Sequence, residues 1–174
     1  MTTLFLMVGL PGAGKTTRAL HLADQHGALR LTPDEWMIPL FGLLEADGKR
    51  DVLEGRLLRL GLDALGLGTH VVVDFGCWSR DERSAIRWLA QAAGASCRLE
   101  YLPVDRTTQL ARVAHRRATA PDGTLPMSES DILRGRALFE EPDRTELDGH
   151  EIDGPPAGWP GWPEWASHRW PSLT

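Results

Sequence analysis

Eight consecutive residues, Gly9-Leu10-Pro11-Gly12-Ala13-Gly14-Lys15-Thr16, place glycines five apart and follow the second with a lysine and a hydroxyl. Those types at that spacing suit one task, closing successive backbone N–H groups around phosphate oxygens where a Cβ at the tight positions would crowd the approach. The pattern requires a strand before it and a helix after it. Leu4-Phe5-Leu6-Met7-Val8 supplies the strand, and a helix-like segment runs from Lys15 to about His26. The new helix points the positive end of its dipole at the same oxygens. Lys15 is expected to reach the β- and γ-phosphates and the Thr16 hydroxyl to ligate magnesium, with Thr17 adjoining. This stretch is read as a site for a nucleoside triphosphate, ATP or another, with Mg2+.

Three further places hold residues fit for phosphoryl chemistry. Asp34 lies in Thr32-Pro33-Asp34-Glu35, where Thr32 is expected to cap a helix whose capping box Glu35 completes. That puts Asp34 in a first helical turn just beyond a short strand at about Ala28–Leu31, where ligands bind in open α/β sheets. An acid there also simply favours the helix dipole, and the pattern alone leaves both roles open. Asp74 ends the run His70-Val71-Val72-Val73 as a second candidate metal ligand, resembling a Walker-B carboxylate, although strands also end in Asp merely to cap the next element. Asp74-Phe75-Gly76 spells a protein-kinase metal motif, but the rest of that signature set is missing and the match is set aside. Arg112 and Arg116, four apart on a helix from Arg106 to about Ala118, share a face with Arg117 alongside. With the loop chemistry of residues 119–126 and a helix from Ser128 to about Phe139, they are expected to form a lid at about 112–130. The competing role is a basic helix end complementing its own dipole.

The remaining chain reads as scaffolding. Residues 50–67 carry leucines at helical spacing, Ser79–Glu82 is a capping box opening a helix to about Ala93, and Ser96–Leu102 is a fourth strand. Arg80 and Arg83 sit in a first helical turn against the dipole, which suits either a partner such as a substrate anion or a solvated surface. Gly149–Asp153 is expected to be a fifth, edge strand. From Gly154 to Thr174, prolines interleave with Trp159, Trp162, Trp165 and Trp170, giving an extended tail too apolar to stay wet. Docking on the domain's own surface is favoured over a platform for a partner or substrate. At 174 residues, one domain (1–153) plus this tail accounts for the length.

Composition narrows the function. The hydrophobic content is 42% and the charged content 25%, ordinary for a soluble globular protein. A net charge of −5 disfavours a nonspecific nucleic-acid binder without excluding a local basic groove. Lys15 and Lys49 are the only lysines among 19 basic residues. Two cysteines form no disulfide framework or metal spacing, and six scattered histidines make no zinc pattern. The N-terminal apolar run is strand-length with no preceding basic residues, unlike a signal peptide, and no run is long enough for a transmembrane helix. A cytoplasmic location is expected; the oligomeric state is left open.

Collected together, Gly9 to Thr17, Thr32-Pro33-Asp34-Glu35, Val72 through Arg80 and Leu110-Ala111-Arg112 through Arg116 resemble the small P-loop kinases grouped with polynucleotide 5′-kinase, chloramphenicol phosphotransferase and zeta toxin. The resemblance is closest to the bacterial AAA-family ATP-binding proteins of that group and spans roughly residues 1–153. It implies a three-layer α/β P-loop NTPase fold with a five-stranded parallel sheet flanked by helices. It further implies that Asp34 receives the proton of an acceptor hydroxyl and that Arg112 and Arg116 are lid arginines on the triphosphate. The resulting expectation is an ATP:alcohol phosphotransferase for a small-molecule acceptor such as a metabolite or antibiotic, bound between Asp34, the helix after it and the Trp78–Arg80 loop. The rivals are a polynucleotide 5′-kinase, a toxin acting on a nucleotide sugar, and a nucleotide-dependent switch that phosphorylates nothing.

Overall fold

The computed structural model describes residues 1–42, 47–119 and 127–174. Four strands, β1 (Thr3–Val8), β2 (Leu29–Leu31), β3 (Val71–Val73) and β4 (Ser96–Tyr101), form one sheet in the order β2-β3-β1-β4. Every pairing is parallel, with Leu6 opposite both Val73 and Leu99, and Leu31 opposite Val73. Such a sheet is covered on both faces, so its strands read as continuous apolar runs instead of alternating. Leu4, Phe5, Leu6, Met7 and Val8 are accordingly all buried.

The two faces of β1 go to different partners. Phe5 and Met7, with Val72 of β3, pack against Ala19 and Leu22 of α1 (Lys15–His26). Leu4, Leu6 and Val8 join the larger core made with α3 (Lys49–Gly66), α4 (Arg80–Ala92) and α8 (Trp162–Arg169). Helices α2 (Asp34–Phe41), α5 (Arg106–Thr119), α6 (Glu129–Leu138) and α7 (Arg144–Leu147) complete the order. Because all strands run the same way, Val8, Leu31 and Val73 end on one edge, and the loops that leave them meet there.

The structure corrects four expectations. Among the described residues the sheet has four strands, not five. Residues 149–153 make no ladder because their carbonyls serve side chains: Arg87 donates to His150 O, and the Trp162 indole donates to Asp153 O at 3.0 Å. No capping box forms at Thr32; Pro33 is the N-cap, and Glu35 instead accepts from Arg30 at 2.5 Å. Arg83 faces neither solvent nor an outside anion, while Arg80 stays 42% exposed at the surface. Arg80 pairs with Asp143 and Asp153, and Arg83, with 0% of its side chain exposed, donates to both oxygens of Glu146 at 2.8 and 2.9 Å and to Trp78 O and Glu140 O. Finally, the tail is not extended throughout: it forms α8, with Trp162 and Trp170 buried in the main core. Of the segment read as a lid, residues 120–126 lie outside the described residues, as do residues 43–46 before α3.

Candidate nucleotide and acceptor site

β1 runs into a loop that only glycine can build. Gly9, Gly12 and Gly14 adopt φ values of +150°, +81° and +97°. A Cβ on Gly9 would stand 2.8 Å from the Leu102 carbonyl oxygen, and one on Gly12 would press on Gln109 O and Val113 at 3.4 Å. Ala13 N–H donates to Leu10 O at 3.1 Å and closes the turn. Helix α1 then begins at Lys15 with no side-chain cap and no acid in its first turn, so its dipole and leading N–H groups face the loop uncompensated. Helix α5 lies across the outside: Gln109 Nε2 donates to Pro11 O at 3.0 Å, and Arg112 Nη1 donates to Gly12 O at 3.2 Å.

Lys15 folds back into this cradle, its Nζ donating to Leu10 O at 3.1 Å. Burial lowers its pKa from the ordinary lysine value; the charges of Asp74 and Asp34 oppose that fall, and Arg116 adds to it. A cation so placed, glycines at left-handed φ and a bare helix N-terminus together fit a polyphosphate.

Asp74 stands directly after β3 and is buried. Arg30 Nη2 of β2 donates to its Oδ2 at 3.0 Å. Burial raises the Asp74 carboxyl above the usual range, with Arg30 and Lys15 pulling it back. Asp74 and the exposed Thr16 line the same cavity, and among the described residues no three His, Cys, Asp or Glu side chains converge to hold a metal alone. One carboxylate and one hydroxyl beside a phosphate cradle form a hard-oxygen donor set that suits Mg2+, which completes its shell with phosphate and water.

A cavity of about 450 Å³ joins these residues to a second group. It brings together Lys15, Thr16, Asp34, Asp74 and Arg116, and continues to Arg50, Asp51, Glu54, Trp78, Glu82, Arg169 and Trp170. Asp34 opens α2; its side chain is 65% exposed and forms an ion pair with Arg50 Nη2 at 2.9 Å. Glu54, one turn after Arg50 on α3, pairs with Arg50 Nε at 3.2 Å and accepts from the Trp170 indole at 3.2 Å. Burial pushes its carboxyl up to about 7 against the pull of Arg50 and Arg169.

Arg112 and Arg116 share a groove beside the loop with Thr17, Arg18, His21, Leu102 and His115, and Arg116 also lines the cavity that holds Lys15 and Asp34. Sequence reasoning missed Arg30 behind Asp74, Arg50 on Asp34, and the Glu54–Arg169–Trp170 end of the cavity. The spacing of Arg50 and Glu54 signalled a helical pair; nothing in the tail signalled that Arg169 would return to α3 and α4.

The model of the AAA domain family, AAA_33, matches residues 4–142. Among solved structures the chain is similar to a protein from Chloroflexus aurantiacus proposed to be a kinase, at 19% identity and a TM-score of 0.64, covering 88% of this chain and 85% of that one. It is also similar to Kti12 from Chaetomium thermophilum in complex with ADP-AlF3, at 15% identity and a TM-score of 0.64, over 98% and 99% of the two chains. A sugar kinase from Janibacter sp. HTCC2649 matches at 18% identity and a TM-score of 0.56, over 83% and 81%. At such identities the likeness establishes the fold alone, the α/β P-loop NTPase architecture. No curated protein matches the sequence.

Proposed function

We propose that the chain, which belongs to the AAA domain family, is an ATP-dependent phosphotransferase acting on a hydroxyl of a small-molecule acceptor. The observation that carries this reading is that Lys15, Thr16 and Asp34 line one cavity. The Asp34 carboxylate is 65% exposed and so is accessible to a molecule that enters this cavity beside the phosphate loop.

In this reading Lys15, Thr16, the loop amides and the α1 N-terminus hold the triphosphate, with Mg2+ carried by Thr16 and Asp74 supplying Lewis-acid stabilisation when bound. Asp34 positions the acceptor hydroxyl. The acceptor oxygen forms a bond to the γ-phosphorus as the bond to the β–γ bridging oxygen breaks, and the hydroxyl proton passes to the Asp34 carboxylate. The transition state is loose, so the proton leaves late and orientation is the larger contribution of Asp34. Lys15 and Arg116 meet the charge spread over the transferring group, and Arg112, held on Gly12 O, keeps α5 against the loop. The acceptor end carries Asp34, Asp51, Glu54 and Glu82 against Arg50 and Arg169, a balance that disfavours a polyanionic strand and supports a small molecule over a polynucleotide. Among the described residues no helix is long and apolar enough to cross a membrane.

The test is a screen of metabolite and antibiotic pools for ATP-dependent mass gain of one phosphate, with Lys15→Ala as the blank. On the acceptor so found, Asp34→Asn is expected to lower kcat about 100-fold or more. An Asp34→Asn enzyme as active as wild type overturns the role given to Asp34.

A further inference from the structure

The family match ends at residue 142, yet the far wall of the cavity comes from beyond it. Arg169, the last residue of α8, and Trp170 after it line the same cavity as Lys15 and Asp34. They are built into the domain. Trp162, Ala166, Trp170 and Leu173 are buried in the core that contains Leu4, Leu6 and Val8 of β1. Helix α3 makes room for the strand of chain that follows: a Cβ on Gly55 would stand 2.6 Å from Ser172 Oγ and 2.9 Å from Leu173 N. Arg56 donates to the carbonyls of Ser172 and Thr174 and fastens that end.

From this anchored position Arg169 reaches across two helices. Its guanidinium meets Asp51 at 2.6 Å, Glu82 at 2.8 Å and Glu54 at 3.8 Å. Glu54 also holds Arg50, and Arg50 holds Asp34. A run of guanidinium–carboxyl contacts, the longest of them 3.8 Å between Arg169 and Glu54, therefore leads from α8 to Asp34. Between the two ends the half-buried Trp78 ring forms one side of the cavity, its outer edge pressed against Gly135 of α6.

We propose that the carboxy-terminal helix is the specificity element of the acceptor pocket: Arg169 and Trp170 close its far end, and Arg169 positions Asp34 through Glu54 and Arg50. The acceptor class that suits these walls is a polyhydroxylated ring compound of about monosaccharide size. An aromatic face receives the C–H face of such a ring, while carboxylates and guanidinium groups accept from and donate to its hydroxyls. The volume, shared with a γ-phosphate, leaves room for one such ring. This inference rests on the reading of the cavity as the acceptor site.

The experiment uses the full chain labelled with 5-fluorotryptophan, the Trp78 and Trp170 signals being assigned from Trp78→Phe and Trp170→Phe. With the non-hydrolysable analogue AMP-PNP bound, a panel of hexoses, pentoses, inositols and amino sugars is titrated and followed by 19F NMR. At least one compound is expected to move both signals in a saturable way. Arg169→Gln is expected to weaken that compound about tenfold or more while its ADP affinity stays near wild type, and Arg169→Lys to recover part of the loss. A panel that moves neither signal overturns the proposal. So does a binder held equally well by Arg169→Gln, or a loss that tracks melting temperature and ADP affinity together. Whether ATP then phosphorylates the binder is a separate readout: binding at α8 without transfer refutes the kinase reading alone.

Discussion

Replacing Glu54 by glutamine should remove a pH dependence of stability whose size follows from the structure. The Glu54 side chain is 7% exposed. Burial holds its proton in the folded protein up to about pH 7, from an ordinary value of 4.5, although Arg50 and Arg169 lie beside it and the Trp170 indole donates to it. Below pH 4.5 both folded and unfolded chains carry the proton and the contribution is complete. Between 4.5 and about 7 the unfolded chain gives the proton up while the folded chain keeps it, so stability falls as pH rises. Above about 7 the folded form ionises too and the contribution is gone. At about 1.4 kcal/mol for each tenfold change in proton affinity the whole effect is about 3 kcal/mol, most of which falls between pH 5 and pH 8. Glutamine fills the same space, still accepts from Trp170 and does not titrate. Urea unfolding of both proteins at pH 5, 6, 7 and 8, followed by tryptophan fluorescence, measures the difference, in which the other titrating groups cancel to first order. The variant should gain on wild type by about 2–3 kcal/mol across that range. A difference that is flat within about 0.5 kcal/mol, or one in which wild type gains with rising pH, would show that Arg50 and Arg169 outweigh desolvation and would refute the reasoning.

Two further perturbations test the scaffold and the cradle. Glu146→Gln leaves the fully buried Arg83 guanidinium without its carboxylate and should cost about 3–5 kcal/mol in urea unfolding, and a loss under about 1 kcal/mol would mean that the carbonyls of Trp78 and Glu140 suffice for Arg83. Gly12→Ala forces a side chain into a left-handed φ against Gln109 O and Val113, and should weaken ADP by roughly tenfold in calorimetric titration. Unchanged affinity there would remove the loop from the nucleotide site.

Local chemistry carried much of the fold in legible form. The phosphate loop, the start of α1 at Lys15, the box at Ser79 and the strands that end at Val8 and Val73 depend on neighbours a few residues away, which a linear sequence displays. Where a side chain has a choice of partners, local pattern failed. Glu35 is well placed to complete a cap at Thr32, but Arg30 on the adjoining strand offers a charged donor and takes it. Residues 149–153 have the composition of a strand, but Arg87 and Trp162 claim two of their carbonyls.

The sequence by itself determined the glycine-rich loop assigned to the donor half of the proposed site, because such a cradle is made of consecutive residues whose φ angles and amides do the work. Tertiary structure decided the half proposed for the acceptor. Asp34, Arg50, Glu54 and Arg169 come from α2, α3 and α8, and share one cavity only because a parallel sheet sends its strand ends to one edge and the core draws the tryptophans of the tail back against α3 and α4. Contacts between residues 118 positions apart, such as Arg169 with Asp51, follow from burial of those tryptophans and leave no mark in the spacing of the charges.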